Sequence, residues 1–363
     1  DSRIFMKNFK KNLFGKIGNQ KINLYTFENN RGHRLEIMNY GACIRKYTSP
    51  DKDGIFSNIV LSLDMLEDYI DTPPNFGFAL GPVAGRIGNA SFKLGDDFYK
   101  LEKNLGDTHL HSASTGFNKS VFKVESVDNN GIVMFLDRPH MTGGYPGNLK
   151  TWIEYRLGED GSLAINYRAK SDKDTLFNPS NHSYFNLGDD IGLGLRDHVL
   201  KIRSNHLVPI DSQGLPIEDY NPTNWNPDQG LARLNKEINR GMDLEDIFSY
   251  PHPQIQDTNG LDHPFYLDKH QSDSIEEVAV LSHRKTGRSI SLKTSAPCLV
   301  VYTANGPNPG IKINGKQAPQ HMGIALETQI MPDAINRPYL GNIILKKDQV
   351  FTSTTIITSD TCY

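Results

Sequence analysis

The sequence predicts an all-β fold, a large antiparallel β-sandwich with few short helices. Three observations carry that prediction. Apolar and polar residues alternate with period two along much of the chain, which puts one face of each strand in a core. Hairpin-type turn residues recur between the alternating runs. Helical periodicity is scarce, and no strand–helix alternation with a glycine-rich phosphate or dinucleotide loop appears, so a doubly wound α/β fold is disfavoured.

In chain order, Asp51-Lys-Asp-Gly54 is the first turn signal; its two aspartates resemble a fragment of a calcium loop, but the remaining ligand positions fail. Met65 to Ile70 predicts a short helix. Asn129-Asn-Gly131 and Glu159-Asp-Gly161 bracket a run in which Trp152, Glu154 and Arg156 alternate with Ile153 and Tyr155, and Leu163, Ile165 and Tyr167 continue the pattern. Val199 to Val208 reads as one strand. Asp211 to His263, with Asn221-Pro-Thr-Asn-Trp-Asn-Pro227 and Tyr250-Pro-His-Pro253, reads as long loops over one face or edge, relieved by a helix over Leu231 to Arg240. Ser289 to Lys293 and the Thr-rich Phe351 to Thr358 are the last strands, with a turn at Asn314-Gly315. The 31 glycines and 20 prolines are spread rather than gathered in a linker, so residues 6–360 read as one domain. Residues 1–5, ahead of Met6, read as a cloning remnant or a disordered end.

A net charge of -3 offers no basic stripe for nucleic acid, and Lys7, Lys10 and Lys11 read as a solvated end. No apolar run approaches the roughly 20 residues of a spanning helix. Cys43, Cys298 and Cys362 are odd in number and scattered, which fits neither a disulfide framework nor a paired metal site. Two of them suit apolar filler positions and Cys362 a tail. With no leader pattern, these features predict a cytoplasmic protein, a monomer or weak homodimer, with no membrane or nucleic-acid partner. The Asn-x-Ser triplets at Asn89, Asn118 and Asn181 then carry no glycan.

Chemistry concentrates in five segments. Asn178 to Gly188 packs His182 and Tyr184 among small hydrogen-bonding residues, with Phe185 and Leu187 needing cover. That composition suits the polar floor of a pocket, with His182 as its titratable centre; the plain alternative is a structural histidine. Glu327 stands in an otherwise apolar strand beginning at Met322, where a lone acid is costly unless paired or functional. It is the strongest general-base candidate. Gly81 to Ala90 carries Arg86 as its single charge among small residues, either a snorkelling strand-end arginine or a rigid fork donor. Asp262 precedes the strand-like Pro-Phe-Tyr-Leu, where an Asx turn is the plain reading. His109-Leu-His111 invites a metal reading, because alternate strand positions face the same way. Thr108, Ser112 and Ser114 supply hydroxyl company rather than a carboxylate, so a hydrogen-bonding histidine is preferred and no metal is expected.

Taken together, Asn181-His-Ser-Tyr-Phe-Asn-Leu187, Leu326-Glu-Thr-Gln329 with Pro332-Asp333, and Gly144-Tyr-Pro-Gly147 resemble the aldose 1-epimerase (galactose mutarotase) family in order and spacing. The likeness runs from Asn39-Tyr-Gly41 to the final strand. It implies a large mutarotase-like supersandwich with a sugar site on a concave face, acting on free aldoses without a cofactor. By that resemblance Glu327 is the general base on the anomeric hydroxyl, His182 the general acid on the ring oxygen, and His111 an assistant around that oxygen. Arg86 and Asp262 would grip sugar hydroxyls. The nearby carboxylate is expected to keep His182 protonated. The chain departs from the family at Gly81-Pro-Val-Ala-Gly-Arg86, where Pro82 and Gly85 replace an arginine and an asparagine. It departs again at His111-Ser-Ala113, in place of His-Gly-Gly, and at Val300, in place of a glutamine. Gly85, Val300 and Tyr184 are therefore expected in the pocket wall, and the preferred sugar is expected to differ from galactose or to be larger, such as the disaccharide maltose. The alternatives are a non-catalytic carbohydrate-binding or sensing protein on the same sandwich, and a hexose-phosphate epimerase. The latter would want several clustered arginines where chiefly Arg86 is found.

Overall fold

The computed structural model describes residues 9–362; residues 1–5 and Lys7 lie outside the described residues. Among the described residues three larger antiparallel sheets are joined by five two-stranded ones. The first has five strands in sequence order, Lys10–Ile17, Gln20–Glu28, Arg34–Met38, Cys43–Pro50 and Phe56–Asn58. The second has nine, ordered Lys123–Val127, Gly131–Arg138, Leu149–Leu157, Leu163–Ser171, Phe351–Thr361, Arg288–Thr294, Glu276–His283, His198–Ile202 and Met242–Asp243. The third carries the site and is ordered Tyr184–Phe185, Ile324–Gln329, Cys298–Tyr302, Asp262–Leu267 and Ser204–Leu207.

The predicted turns close hairpins at 51–54, 129–131, 159–161 and 314–315. At the first, Asp51 Oδ1 accepts from the backbone amides of Asp53 and Ile55, an Asx turn rather than a calcium loop. The inward residues of the nine-stranded sheet, among them Ile153, Tyr155, Ile165, Ile290 and Leu292, share one core with Phe265, Leu299, Val301 and Leu326 from the back of the site sheet. Because side chains alternate, burying that back face turns the intervening residues Val300, Tyr302 and Glu327 the other way. The hydrophobic core thereby sets which face of the sheet can hold chemistry.

Two expectations need correction. Val199 to Val208 is two strands: His198–Ile202 pairs with Glu276–His283 in the large sheet, whereas Ser204–Leu207 pairs with Asp262–Leu267 in the site sheet. The chain turns a corner at Arg203. The freed carbonyl of Ser204 accepts from both Asn235 and Asn239 side chains at 3.0 Å. The segment from Asp211 to His263 is also more regular than a set of loops. Its helix spans Gln229–Arg240, with Leu231, Leu234 and Ile238 buried, and short helices follow at Leu244–Phe248 and Pro253–Gln256. Those two are too short for a 3.6-residue period to show. The other predicted helix is present as Leu66–Asp71. Among the described residues no helix is long and apolar enough to cross a membrane. Cys43 and Cys298 are buried and Cys362 is exposed.

Arg288 clamps the sheets together and was not singled out in the sequence. It is fully buried, and its guanidinium donates to the carbonyls of Ser49, Leu187 and Ile55, to Ser57 Oγ and, at 2.6 Å, to Asp189. Arg288→Ala removes a donor from three carbonyls, leaves Asp189 without its 2.6 Å partner and opens a cavity. We expect a loss of about 3 kcal/mol or more of stability, read as a lower urea midpoint with an unchanged slope. A loss below about 0.5 kcal/mol would show that water replaces the clamp.

Candidate active site

The floor of the site is the outward face of the third sheet. Register places Glu327 opposite Val300, Val300 opposite Pro264, Tyr302 between Asp262 and Ala325, and Tyr184 beside Ala325. On the strand Ile324–Gln329, Leu326 enters the core and Thr328 Oγ1 bonds Thr355 Oγ1 of the large sheet at 2.7 Å. Glu327 is thus forced to the opposite face, where it is 2 % exposed. His182 lies in the two-residue break between Ser180–Asn181 and Tyr184–Phe185. Its backbone is held on both sides, donating to the carbonyl of Phe78 and accepting from the amide of Gly77. Asn181 braces the same bend, donating to the Gly77 carbonyl and accepting from Ser183. The His182 ring stands edge-on to Tyr184 and to His111, with centroids 4.8 and 5.6 Å away.

This arrangement sets His182 Nε2 3.8 Å from Glu327 Oε2. Glu327 Oε1 and His182 Nδ1 find no hydrogen-bond partner among the described residues. Buried polar atoms without partners are uncommon and point to a ligand. The cavity above them measures about 310 Å³, and Arg86, His111 and Asp262 line it with this pair, as do Gly85, Tyr184 and Val300. Arg86 Nη2 reaches Asp262 Oδ2 at 3.4 Å, while its Nε has no partner. With five donors on a guanidinium, one long bond leaves the fork available. Arg86 is therefore not a snorkelling side chain. Asp262 is the first residue of a strand, and its carboxylate faces Arg86 rather than closing an Asx turn.

His111 and Gly85 are locked reciprocally. The Gly85 amide donates to His111 Nδ1 at 2.9 Å, and the His111 amide donates to the Gly85 carbonyl at 3.0 Å. An accepting Nδ1 puts the ring hydrogen on Nε2, so the neutral ring is a donor at that atom. Gly85 has φ +75, and a Cβ there would lie 3.1 Å from Gln329 Nε2 and 3.5 Å from Pro332. His109 does not share the face of His111. The strand ends at Leu110, and His111, Ser112 and Ala113 have φ of 52, 60 and 51, which swings the chain away. The His109 ring lies instead between the Glu102 carbonyl and the Tyr145 hydroxyl, at 2.7 and 2.8 Å. Tyr145 also meets Ser112 Oγ, so the Gly144 to Gly147 motif props up the loop that carries His111.

Burial dominates the electrostatics. Desolvation pushes Glu327 up to about 8; Asp262 adds to the rise and Arg86 opposes it. Desolvation takes His182 down to about 4, opposed by backbone carbonyls. His111 is also held well below the ordinary histidine value, by burial first and then by His182. A carboxylate 3.8 Å away therefore does not keep His182 protonated in the free site: loss of water outweighs the attraction. Both shifts favour the uncharged forms, carboxylic acid on Glu327 and neutral imidazole on His182.

The sequence did not single out Pro73, Pro74 and Asn75, which form one wall, or Tyr302, and gave Pro332 only as part of a motif. Tyr302 was within reach, because it lies two residues beyond Val300 and so shares its face. The proline wall carries no local signal of its position. His111, His182 and Glu327 also place one ligand atom each within 4.8 Å of one another, a set of types that zinc accepts. The sequence pair His109 and His111 did not point to that grouping.

An antiparallel β-sandwich with a buried carboxyl–imidazole pair and a guanidinium–carboxylate couple beside it is the frame of an acid–base enzyme. Comparison with known proteins narrows the class. The family model described as aldose 1-epimerase matches residues 23–358. The galactose mutarotase of Sus scrofa is 33% identical over 324 residues, spanning 89% of this chain and 90% of that protein. The aldose 1-epimerase of Streptococcus thermophilus is 31% identical, spanning 92% and 93%. Among solved structures, galactose 1-epimerase from Lactobacillus acidophilus NCFM superposes with a TM-score of 0.81 at 29% identity, covering 98% of this chain and 100% of that one. An aldose epimerase homologue from C. elegans shares the fold with a TM-score of 0.83 at 20% identity, over 94% and 99%. The chain belongs to the aldose 1-epimerase family, a family of isomerases.

Proposed function

We propose that this protein interconverts the α and β anomers of a free hexose by acid–base ring opening, with Glu327 and His182 as the catalytic pair. The observation that carries the reading is the buried Glu327–His182 couple at the floor of the cavity, 3.8 Å apart, with Glu327 Oε1 lacking a hydrogen-bond partner among the described residues. A sugar seated there donates its anomeric hydroxyl to Glu327 and accepts at its ring oxygen from His182. Both bonds favour carboxylate and imidazolium, so binding moves the single proton from Glu327 to His182 without changing the count. Glu327 then takes the anomeric proton, the C1–O1 bond gains its second electron pair, and the C1–O5 bond breaks as His182 protonates O5. The free aldehyde rotates about C1–C2. Closure from the other face reverses both transfers and restores the starting protonation. Protons and electrons balance with these two side chains alone. His111 donates toward the ring oxygen, and Arg86 and Asp262 hold hydroxyls.

Of the departures from the family, Gly85 and Val300 line this cavity, whereas Pro82, Ser112 and Ala113 do not. Val300 is the neighbour of Glu327 across the sheet, and Gly85 faces Gln329 and Pro332, so two polar contacts to a sugar are absent and space is left instead. We expect a preference other than galactose. Polarimetry of α-galactose and α-glucose tests both points: no acceleration with either sugar would sink the reading, and a clear galactose preference would sink the selectivity.

A pH dependence follows from the proton count. Below about 4 the free pair holds two protons and lacks a base; above about 8 it holds none and lacks an acid. kcat/KM, which reports the free enzyme, is expected to be bell-shaped with limbs near those values. A flat profile from pH 5 to pH 9 would contradict the one-proton pair.

A further inference from the structure

We propose that Gln254 and His263 are positioning residues for sugar binding, setting from behind the cavity the gap between Arg86 and Asp262; this rests on the epimerase reading above. Neither residue lines the cavity. Strand alternation turns His263 away from Asp262 and into the core, opposite Val301, where it is fully buried. Its Nδ1 accepts from the Asp262 backbone amide at 3.0 Å, and its Nε2 lies 2.9 Å from Gln254 Oε1. An accepting Nδ1 puts the ring hydrogen on Nε2, so His263 donates to Gln254. Burial, with His252 and Arg86 adding to it, takes the ring down to about 3 and keeps it neutral in that tautomer.

Gln254 is where two arms meet. Its Oε1 also accepts from the Ile210 amide at 2.8 Å, and its Nε2 donates to the Ile210 carbonyl at 2.9 Å. The Tyr250-Pro-His-Pro253 stretch fixes its own place: His252 Nδ1 accepts from the Gln254 amide, and His252 Nε2 meets the Asp228 carboxylate at 3.1 Å. One arm ends on the backbone of Asp262. The other runs from Ile210 into the next turn, where Asp211 Oδ1 accepts from the amides of Gln213 and Leu215. Gly214 of that turn lies against Arg86, so close that a Cβ on it would come 2.7 Å from the guanidinium carbon. Arg86 has only the 3.4 Å bond to Asp262 and an unpartnered Nε, so its guanidinium is placed largely by what presses on it. A buried network with its members satisfied is rigid and specifies one geometry. Slackening either arm changes the gap that the couple presents to sugar hydroxyls, and a misplacement of about 1 Å can cost about 10²-fold.

The test is kcat and KM by polarimetry on α-glucose or α-galactose, whichever the wild type turns over faster. Gln254→Met keeps the volume and removes the bonds to His263 and Ile210; KM is expected to rise about tenfold with kcat within about threefold. His263→Gln keeps a donor for Gln254 but loses the acceptor for the Asp262 amide, and a rise of about threefold in KM is expected. In a background carrying Arg86→Ala and Asp262→Asn, Gln254→Met is expected to raise KM less than about twofold further, because the couple it positions is gone. A merely structural role would leave that factor at about ten. Unchanged KM in folded Gln254→Met, or losses that multiply in the triple variant, overturns the positioning role, while wild-type turnover leaves the epimerase reading standing. If Gln254→Met does not fold, His263→Gln decides by the same two comparisons. No acceleration by the wild type with either sugar overturns the epimerase reading and this inference with it.

Discussion

Glu327→Gln is expected to lower kcat for anomer interconversion by about 10²–10⁴-fold while leaving sugar affinity within a few-fold. The amide keeps the shape of the carboxyl and can still meet the anomeric hydroxyl, but it cannot take its proton. The residual rate rests on His182 alone, which burial holds at about 4, so it is expected to fall as pH rises above that value. The same substitution should stabilise the protein in a pH-dependent way. Glu327 has a raised value of about 8 in the folded state against 4.5 as the reference, so burial opposes its ionisation. Below about pH 4.5 folded and unfolded states are both protonated and the penalty vanishes. It grows as pH rises from there towards about 8, reaching a few kcal/mol on the scale of 1.36 kcal/mol per pKa unit. A glutamine carries no such penalty. The variant should therefore unfold at higher temperature than wild type at pH 8 and at nearly the same temperature at pH 4. A variant that retains its rate removes Glu327 from the chemistry; equal melting at pH 8 removes the claim that the site is strained by its carboxyl.

His182→Gln is expected to cost a similar 10²–10⁴-fold in kcat, for the complementary reason. Glutamine donates a hydrogen bond to the ring oxygen but cannot transfer a proton to it, so water must complete the ring opening. The base is then Glu327 without a partner, and its ionised form is the active one. Residual activity should rise with pH through about 8 instead of falling, turning the bell into a single ascending limb. Persistence of the bell would assign the descending limb to another group. His111 is the neighbour to examine in that case, because its ring stands 5.6 Å from His182 and its Nδ1 is already engaged by Gly85.

Glu327 was legible in the sequence because an acid inside an apolar strand has few bland explanations, and the core contacts of Leu326 and the bond from Thr328 are what turn it into the site. His182 was legible from the company it keeps between Asn178 and Gly188. What no local pattern reveals is how much water each group loses. The expectation of a protonated His182 counted the attraction of a nearby carboxylate and left out burial, which decides the direction. The shared face expected for His109 and His111 failed because three successive left-handed residues end the strand between them, and none is glycine. The corner at Arg203 was invisible because no glycine or proline interrupts Val199 to Val208 and the change of sheet shows only in the pairing partners. Arg288 and the wall at Pro73 to Asn75 depend on contacts between segments far apart in the chain, and those exist only once the sheets have packed.

The central claim is that Glu327 and His182 act together in one ring-opening step, one taking a proton as the other gives one. The most direct measurement is the anomer interconversion rate of wild type, Glu327→Gln, His182→Gln and the double variant on one sugar at pH 6. Groups that work as a unit lose their joint contribution when either is removed. The double variant is therefore expected to be no more than a few-fold slower than the slower single variant. A double variant in which the two losses multiply, or a single variant within tenfold of wild type, would contradict the account.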